Sequence, residues 1–321
     1  MRPGDAVEPC PGMPRSVTIA ICTWNRASLL QRTLDSMTSL QIPRGIEWEI
    51  VVVDNASTDA TPDVIAQAAT KLPVHGVHEP RQGHSFARNT AVAAARGELL
   101  VWTDDDVRVE RDWISEFLQG AAAEPRTQFW GGTVLPDFES PPPRWVDENW
   151  EISSRIYALR DWKGIVPQVD LKHLPFGANF AIRTAAQRSY GFDPNFGRKG
   201  TGMRGFDEVD VFRRMLDAGE IGTWRVAAKL HHFIPTSRLT LDYVRRYYVG
   251  QGETLVVRGE SREPTADLKR RERSQRFWYR TKRSLGFSSR SWMPCLIEAS
   301  RVAGQLSARA KQKNASDSET A

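Results

Sequence analysis

Glu98-Leu-Leu-Val-Trp-Thr103, followed directly by Asp104-Asp105-Asp106, is the stretch on which the fold of this chain turns. An apolar run of strand length ends in three consecutive carboxylates. Like charges at the end of a buried strand repel one another and lose hydration, so such a cluster is usually kept where a cation neutralises it. In open α/β sheets, ligands bind in the crevice beyond the carboxyl ends of the strands. The cluster reads either as a divalent-metal site holding a phosphorylated ligand or as a solvated acidic turn capping the next helix, and the context decides between them.

Upstream, Val17-Thr-Ile-Ala-Ile-Cys22 and Trp48-Glu-Ile-Val-Val-Val53 are nearly continuous apolar runs, the pattern of strands covered on both faces. Leu29, Leu30, Leu34 and Met37 lie on one side of a helix that Ser28 can cap, and Thr61-Pro62 opens a second in an N-cap and N1 arrangement. A weaker strand over 74–78, the loop Arg81-Gln-Gly-His-Ser85 and an Ala-rich helix over 86–95 lead to the strand before the aspartates. This alternation predicts right-handed βαβ units and a parallel sheet. Polar residues gather at each strand's carboxyl end: Asn25 and Arg26, Asp54 and Asp59, then Asp104 to Asp106. That shared placement favours the ligand-site reading.

Beyond Asp112 the pattern predicts a helix to about Ala122, strands over 128–135 and 175–183, and loops with short helices over 145–172. A Gly-rich loop over 200–205 precedes a helix from Glu208 to Ala218, which Gly219 closes. A last short strand runs from Thr223 to the tandem His231-His232.

With 321 residues, 40% hydrophobic and 26% charged, wholesale disorder is excluded. No apolar run approaches the roughly 18–20 residues that span a bilayer. Cys10, Cys22 and Cys295 have neither disulfide nor metal spacing, which fits a reducing cytoplasm. The net charge of +5 is uneven, because residues 258–313 hold 15 Lys/Arg against 5 Asp/Glu. The basic character thus belongs to the C-terminal segment, implying two regions with different partners.

The ordered set Thr23-Trp-Asn-Arg26, Asp54-Asn-Ala-Ser-Thr-Asp59, Arg81-Gln-Gly-His-Ser-Phe-Ala-Arg-Asn89 and Asp104-Asp105-Asp106 resembles family 2 glycosyltransferases over about residues 16–237. Those are inverting, nucleotide-sugar-dependent enzymes. The resemblance implies an α/β, GT-A type fold: a single Rossmann-like, doubly wound, mainly parallel sheet with an acceptor-side subregion and a C-terminal helical extension. Around this catalytic domain (16–237) the residues themselves read as a flexible leader (1–15), a basic, aromatic helical extension (238–313) and a disordered tail (314–321). The catalytic domain has a nucleotide-binding half over about 16–107 and an acceptor half over about 108–237.

By the same resemblance, Thr23, Asn25 and Arg26 lie against the nucleotide, and Asp54 accepts a hydrogen bond from the base, an acceptor-only carboxylate suiting a ring N–H. Gly83 allows close backbone approach and Arg81 pairs with phosphate. Arg88 either joins this set or serves as a structural ion-pair partner. Asp104 contacts the ribose or a bound water, and Asp106 ligates Mn²⁺ or Mg²⁺, ions suited to hard oxygen ligands. Asp104 and His232 are further metal-ligand candidates, with His231 the alternative to His232. Asp105 joins the nucleotide-sugar set with the least defined role, and Asn179 is a hydrogen-bonding candidate along the donor sugar.

Phe206-Asp207-Glu208 matches the family's acid pair in reversed order, so Glu208 is the base candidate by register and Asp207 the alternative. Two acids in the first turn of a helix are also favoured by the macrodipole alone. These readings predict an inverting, metal-dependent glycosyltransferase that moves a sugar from a nucleoside diphosphate sugar, a UDP-sugar being favoured, to a hydroxyl of a glycan or lipid-linked acceptor. The rivals are a nucleotidyltransferase and a catalytically inactive sugar-nucleotide-binding scaffold. The tail combines Arg/Lys with Phe277, Trp278, Tyr279, Leu285, Phe287, Trp292, Met293, Leu296 and Ile297. It reads either as a peripheral contact with an anionic membrane on its cytoplasmic face or as an ordinary amphipathic appendage. No nucleic-acid partner is expected, since no recognition motif accompanies the charge.

Overall fold

The structure, a computed structural model, describes residues 10–162, 168–200 and 202–319. Positions 1–9 of the expected leader and 320–321 of the expected tail lie outside the described residues. The chain forms two compact units: one of residues up to 137 with 157–194 and 207–233, the other of 138–156, 195–206 and 234 onward.

In the first unit, β1 (Ser16–Thr23), α1 (Ala27–Met37), β2 (Glu47–Asp54), α2 (Thr61–Ala68), β3 (Val74–His78), α3 (His84–Ala94) and β4 (Leu99–Thr103) follow in strict alternation. After the aspartates come β5 (Val107–Val109), α4 (Trp113–Ala123) and β6 (Thr127–Phe138). The remaining elements of the chain up to the tail are α5 (Arg144–Glu148), α6 (Trp150–Ile156), β7 (Asn179–Arg183), α7 (Thr184–Ser189), α8 (Asp207–Asp217) and β8 (Ile221–Ile234). Of these, α5 and α6 belong to the second unit.

The strands form one sheet in the order β3-β2-β1-β4-β7-β6-β8-β5. The first four are parallel, and Val17 of β1 faces Trp48 of β2 and Leu99 of β4. The parallel run stops at β4: β7 returns antiparallel with Thr103 opposite Asn179, and β5 pairs antiparallel with β8. Every residue of β4 is buried, which is why its sequence does not alternate. Trp102 stacks on Phe180 at 6.0 Å between ring centroids, and Phe129 on Phe212 of α8 at 4.8 Å. With Ala87 and Ala91 of α3 they form the core of this unit, each large side chain contributing roughly 1.5–3 kcal/mol.

Several local expectations are corrected. β5 and α7 were not expected, since three and six residues are too few to show a period. Ser28 lies inside α1, whose N-cap is Arg26. At α2 the cap is Ala60 and Thr61 is the first helical residue, its own amide donating to Asp59 Oδ1 at 3.0 Å, so the acid before the helix takes the exposed donor.

The second unit contains α9 (Leu241–Val257), α10 (Thr265–Ser284) and α11 (Ser289–Glu319). The sequence has helical spacing over 237–248, which Gly250-Gln251-Gly252 is expected to interrupt, yet α9 continues through both glycines. The reason is packing: a Cβ on Gly252 would lie 1.9 Å from the Arg301 carbonyl, and one on Gly304 would lie 2.0 Å from that of Val249. Only glycine lets the α9 and α11 backbones approach this closely. α11 is helical through Glu319, where a disordered tail was expected from 314. Tyr279, Trp292, Met293, Leu296 and Ile297 are buried in this unit, whereas Phe277, Trp278, Leu285 and Phe287 are exposed. Among the described residues, no helix is long and apolar enough to cross a membrane.

Gly252→Val is expected to force α9 and α11 apart and to destabilise the protein by about 2–3 kcal/mol. Urea denaturation followed by circular dichroism measures this. A midpoint equal to that of the unsubstituted protein contradicts the packing account.

Candidate functional site

The turn between β4 and β5 carries the three aspartates and is pinned from α1. Thr33 Oγ1 accepts from the Val107 amide at 3.0 Å and donates to the Asp105 carbonyl at 2.9 Å. Asp105 Oδ2 accepts from Thr23 Oγ1 at 2.7 Å. Arg26 lies across two acids, with Nη1 on Asp105 Oδ1 and Nη2 on Asp106 Oδ2, both at 2.5 Å. Burial, opposed by Arg26, pushes the Asp105 carboxyl up to about 6.

The β5–β8 ladder sets Val107 opposite His232, bringing that histidine beside Asp106. Adjacent residues of a strand face opposite sides. His231 therefore turns away, its Nε2 on Glu110 Oε1 at 2.6 Å, and His232 Nε2 lies 3.2 Å from Asp106 Oδ1. His232 Nδ1 is 2.7 Å from the Tyr157 carbonyl, to which it donates. In the neutral ring this fixes the tautomer and leaves the Nε2 lone pair facing a carboxylate oxygen. Two such lone pairs repel unless a proton or cation lies between them. Ligand atoms of Asp104, Asp106 and His232 all fall within 4.8 Å of one another. Two carboxylates and an oriented imidazole at that spacing fit one divalent cation.

A second charged group forms where α8 begins. Asp207 Oδ2 is 2.8 Å from His84 Nδ1 and 3.4 Å from Arg88 Nη1. Burial disfavours its charge, but Arg88 and His84 outweigh this and hold the carboxyl far below the usual range. Glu208 is 3.8 Å from the same Arg88 and accepts from the Gly177 amide at 3.3 Å. Burial and then the Asp207 charge push its carboxyl above the ordinary range. Its side chain keeps 18% exposure against 4% for Asp207, so Glu208 is the acid a ligand can reach. A Cβ at Gly177 would lie 2.5 Å from Arg88 Nη2, so a larger residue there would displace the guanidinium.

Arg88 is buried, its guanidinium within 5.1–5.9 Å of the Phe192, Trp102 and Phe180 rings, so of its two expected roles it fills the structural one. Asn179, expected along the donor sugar, is instead engaged inside the sheet. Its Oδ1 accepts from Trp113 Nε1 at 2.8 Å, and its Nδ2 donates to the Thr133 and Ala228 carbonyls. Arg81, expected to pair with phosphate, holds Glu79 through Nε and Nη2 at 2.9 and 2.8 Å. That contact pulls the Glu79 carboxyl down to about 2.

The loops expected at the nucleotide converge. Asn25, at φ +52°, accepts from the Thr58 amide at 2.7 Å and joins the loop after β1 to that after β2. Asp54 is buried, with Oδ1 accepting from the Ser57 amide at 2.9 Å. The Gly83 amide donates to Asn55 Oδ1 at 2.8 Å, and Gly83 has φ +148°, which suits glycine. Three contributors escaped the sequence reading. His84 had a signal, since it stands four residues before Arg88 on one helix face. Thr33 and the Tyr157 carbonyl had none.

Comparison with known proteins identifies relatives. The model of glycosyl transferase family 2 matches residues 18–182. A succinoglycan biosynthesis protein, ExoM, of Rhizobium meliloti is 24% identical over 242 residues, 73% of each chain. A glucosyl-dolichyl phosphate glucuronosyltransferase of Haloferax volcanii is 24% identical over 249 residues, 75% of this chain and 77% of that protein. Among solved structures, the mannosyltransferase PcManGT from Pyrobaculum calidifontis, in complex with GDP-Man and Mn²⁺, superposes with a TM-score of 0.54 at 20% identity. That alignment covers 99% of this chain and 79% of the other. The fold is of the GT-A type.

Arg88→Met is expected to leave Asp207 buried without its arginine, and to cost about 3–5 kcal/mol in urea denaturation at neutral pH. Adding Asp207→Asn is expected to restore much of that loss. Equal stability of the single variant and the parent protein contradicts the ion-pair account.

Proposed function

This chain belongs to glycosyl transferase family 2, and we propose that it transfers a sugar with inversion from a UDP-sugar to a hydroxyl of a glycan or lipid-linked acceptor at the cytoplasmic face of a membrane. One observation carries the reading: a three-ligand cluster of Asp104, Asp106 and His232 and a reachable acid, Glu208, occur in the same unit of the fold. Family membership sets aside the nucleotidyltransferase alternative. Names of relatives that speak of succinoglycan biosynthesis and of a glucosyl-dolichyl phosphate support the acceptor class.

Asp106, Asp104 and His232 would hold Mn²⁺ or Mg²⁺, and the solved mannosyltransferase with Mn²⁺ supports that choice. When bound, such an ion stabilises the charge that develops on the departing diphosphate. The other steps belong to the protein. Asp54 accepts from the imide N–H of a uracil-type base, and Thr23, Asn25 and Gly83 frame the nucleotide. Arg26 steadies Asp105 and Asp106 by neutralising part of their mutual repulsion. Glu208 takes the proton of the acceptor hydroxyl as that oxygen attacks the anomeric carbon from the face opposite the leaving group. Asp207, clamped by Arg88 and His84, keeps a fixed negative charge beside Glu208 and raises its basicity.

Asp106→Ala is expected to abolish the Mn²⁺-dependent rise in melting temperature with UDP, since a ligand of the native state stabilises it by linkage. An undiminished shift removes Asp106 from the metal site. The same panel with GDP and TDP tests the preference for uridine.

Glu208→Gln is expected to retain UDP-sugar affinity while transfer falls by about 10²–10⁴-fold. Since the base must be unprotonated and its carboxyl is pushed up, kcat/KM is expected to rise with pH through a limb well above the ordinary glutamate pKa of about 4.3. An acid limb near that ordinary value, or full activity of the variant, moves the base to another residue.

A further inference from the structure

Six large hydrophobic side chains are exposed among the described residues, and four of them lie within the eleven positions from Phe277 to Phe287. Phe277, Trp278, Leu285 and Phe287 are 60%, 49%, 69% and 53% exposed. This clustering separates them from scattered surface hydrophobics, which need no explanation. Helical spacing gathers Phe277, Trp278 and the C-cap residue Leu285 within roughly 100° of one another, on a face distinct from that of Leu268 and Tyr279, which are buried. The helix is therefore apolar on two faces, and its own unit uses only one. The Phe277 and Trp278 rings meet edge-on at 5.5 Å between centroids, and the turn after α10 adds Phe287.

Charge surrounds this patch. α10 holds eight Lys/Arg against two Asp/Glu. Arg273, Arg276 and Arg280, all exposed, follow at i, i+3 and i+7 along a neighbouring stripe, and exposed Arg290 lies just past the turn. Aromatic and aliphatic side chains at the surface of a basic helix match the bilayer interface, where rings sit at headgroup level and guanidinium groups pair with phosphates. A second copy of α10 would bring arginine stripes together and be repelled. Stacking on single-stranded nucleic acid would use the aromatic rings but leave Leu285 without a counterpart.

We propose that the C-terminal end of α10 and the following turn dock this protein on an anionic phospholipid bilayer. Phe277, Trp278, Leu285 and Phe287 enter the interface, and Arg273, Arg276 and Arg280 engage lipid phosphates. The docking deepens the lipid-linked acceptor reading and rests on it for its purpose, not for its physics.

The test is co-sedimentation of the full chain, without substrate, with vesicles of phosphatidylglycerol and phosphatidylcholine and with phosphatidylcholine alone. Binding is expected to the anionic vesicles only and to weaken steeply with salt. The variant F277S/W278S is expected to lose at least about tenfold in partitioning while its circular dichroism and melting temperature stay unchanged. R273Q/R276Q/R280Q is expected to lose most of the preference for anionic vesicles. Equal binding to neutral vesicles, or undiminished binding by F277S/W278S, overturns the proposal. So does a wild-type chain that stays in the supernatant, whether it then dimerises through the patch or retains a single-stranded RNA oligonucleotide. Because no donor is present, a failure here leaves glycosyl transfer untouched, and loss of transfer in E208Q leaves vesicle binding untouched.

Discussion

Charge held out of water is the constraint that organises this protein. Asp104, Asp105 and Asp106 follow one buried strand, and Asp207 and Glu208 open α8 in the same unit. Burial penalises each charged form, and neighbouring carboxylates add repulsion. Two arginines make the arrangement tolerable, Arg26 across the first group and Arg88 beneath the second. They do not match the carboxylates one for one. The result is two acid groups with opposite characters: Asp207 held charged by close cations, and Glu208 pushed toward its protonated form by burial and by that same neighbour.

The sheet supplies the geometry for this balance. Its parallel half aligns the carboxyl ends of β1, β2 and β4, gathering the loops after those strands. Its antiparallel half brings β8 back along β5, so an imidazole more than a hundred residues later arrives beside Asp106. Asn179 of β7 ties that antiparallel half together, with hydrogen bonds to Trp113 on α4, Thr133 on β6 and Ala228 on β8.

What could be read beforehand was whatever repeats locally. Near-continuous apolar runs marked β1, β2 and β4, and β3 was bounded to the residue. The metal-ligand candidates Asp104, Asp106 and His232 were legible because acids at strand ends and a late histidine form an ordered pattern. Strand alternation, unavailable until the β5–β8 register was known, then separated His232 from His231. Elsewhere the sequence shows a polar residue but not the partners that the fold gives it. Asn179 finds acceptors 46 and 49 residues away, so nothing local signalled that its amide was occupied. Arg81 has its partner two residues before it in Glu79, and that signal was available. Gly250 and Gly252 looked like a helix break because a window along one segment does not contain the α11 backbone that needs the space.

Thr33 carries a consequence that reaches past its own hydrogen bonds. One hydroxyl on α1 grips the turn at Asp105 and at Val107, so the turn and the helix cannot separate without breaking both contacts. Cooperative opening in native proteins follows such shared contacts. The acid turn and the first helix should therefore exchange their amide hydrogens as a single unit, with common protection and a common response to a bound cation. The first helix, which offers no ligand to the candidate cation cluster of Asp104, Asp106 and His232, is in that sense part of it.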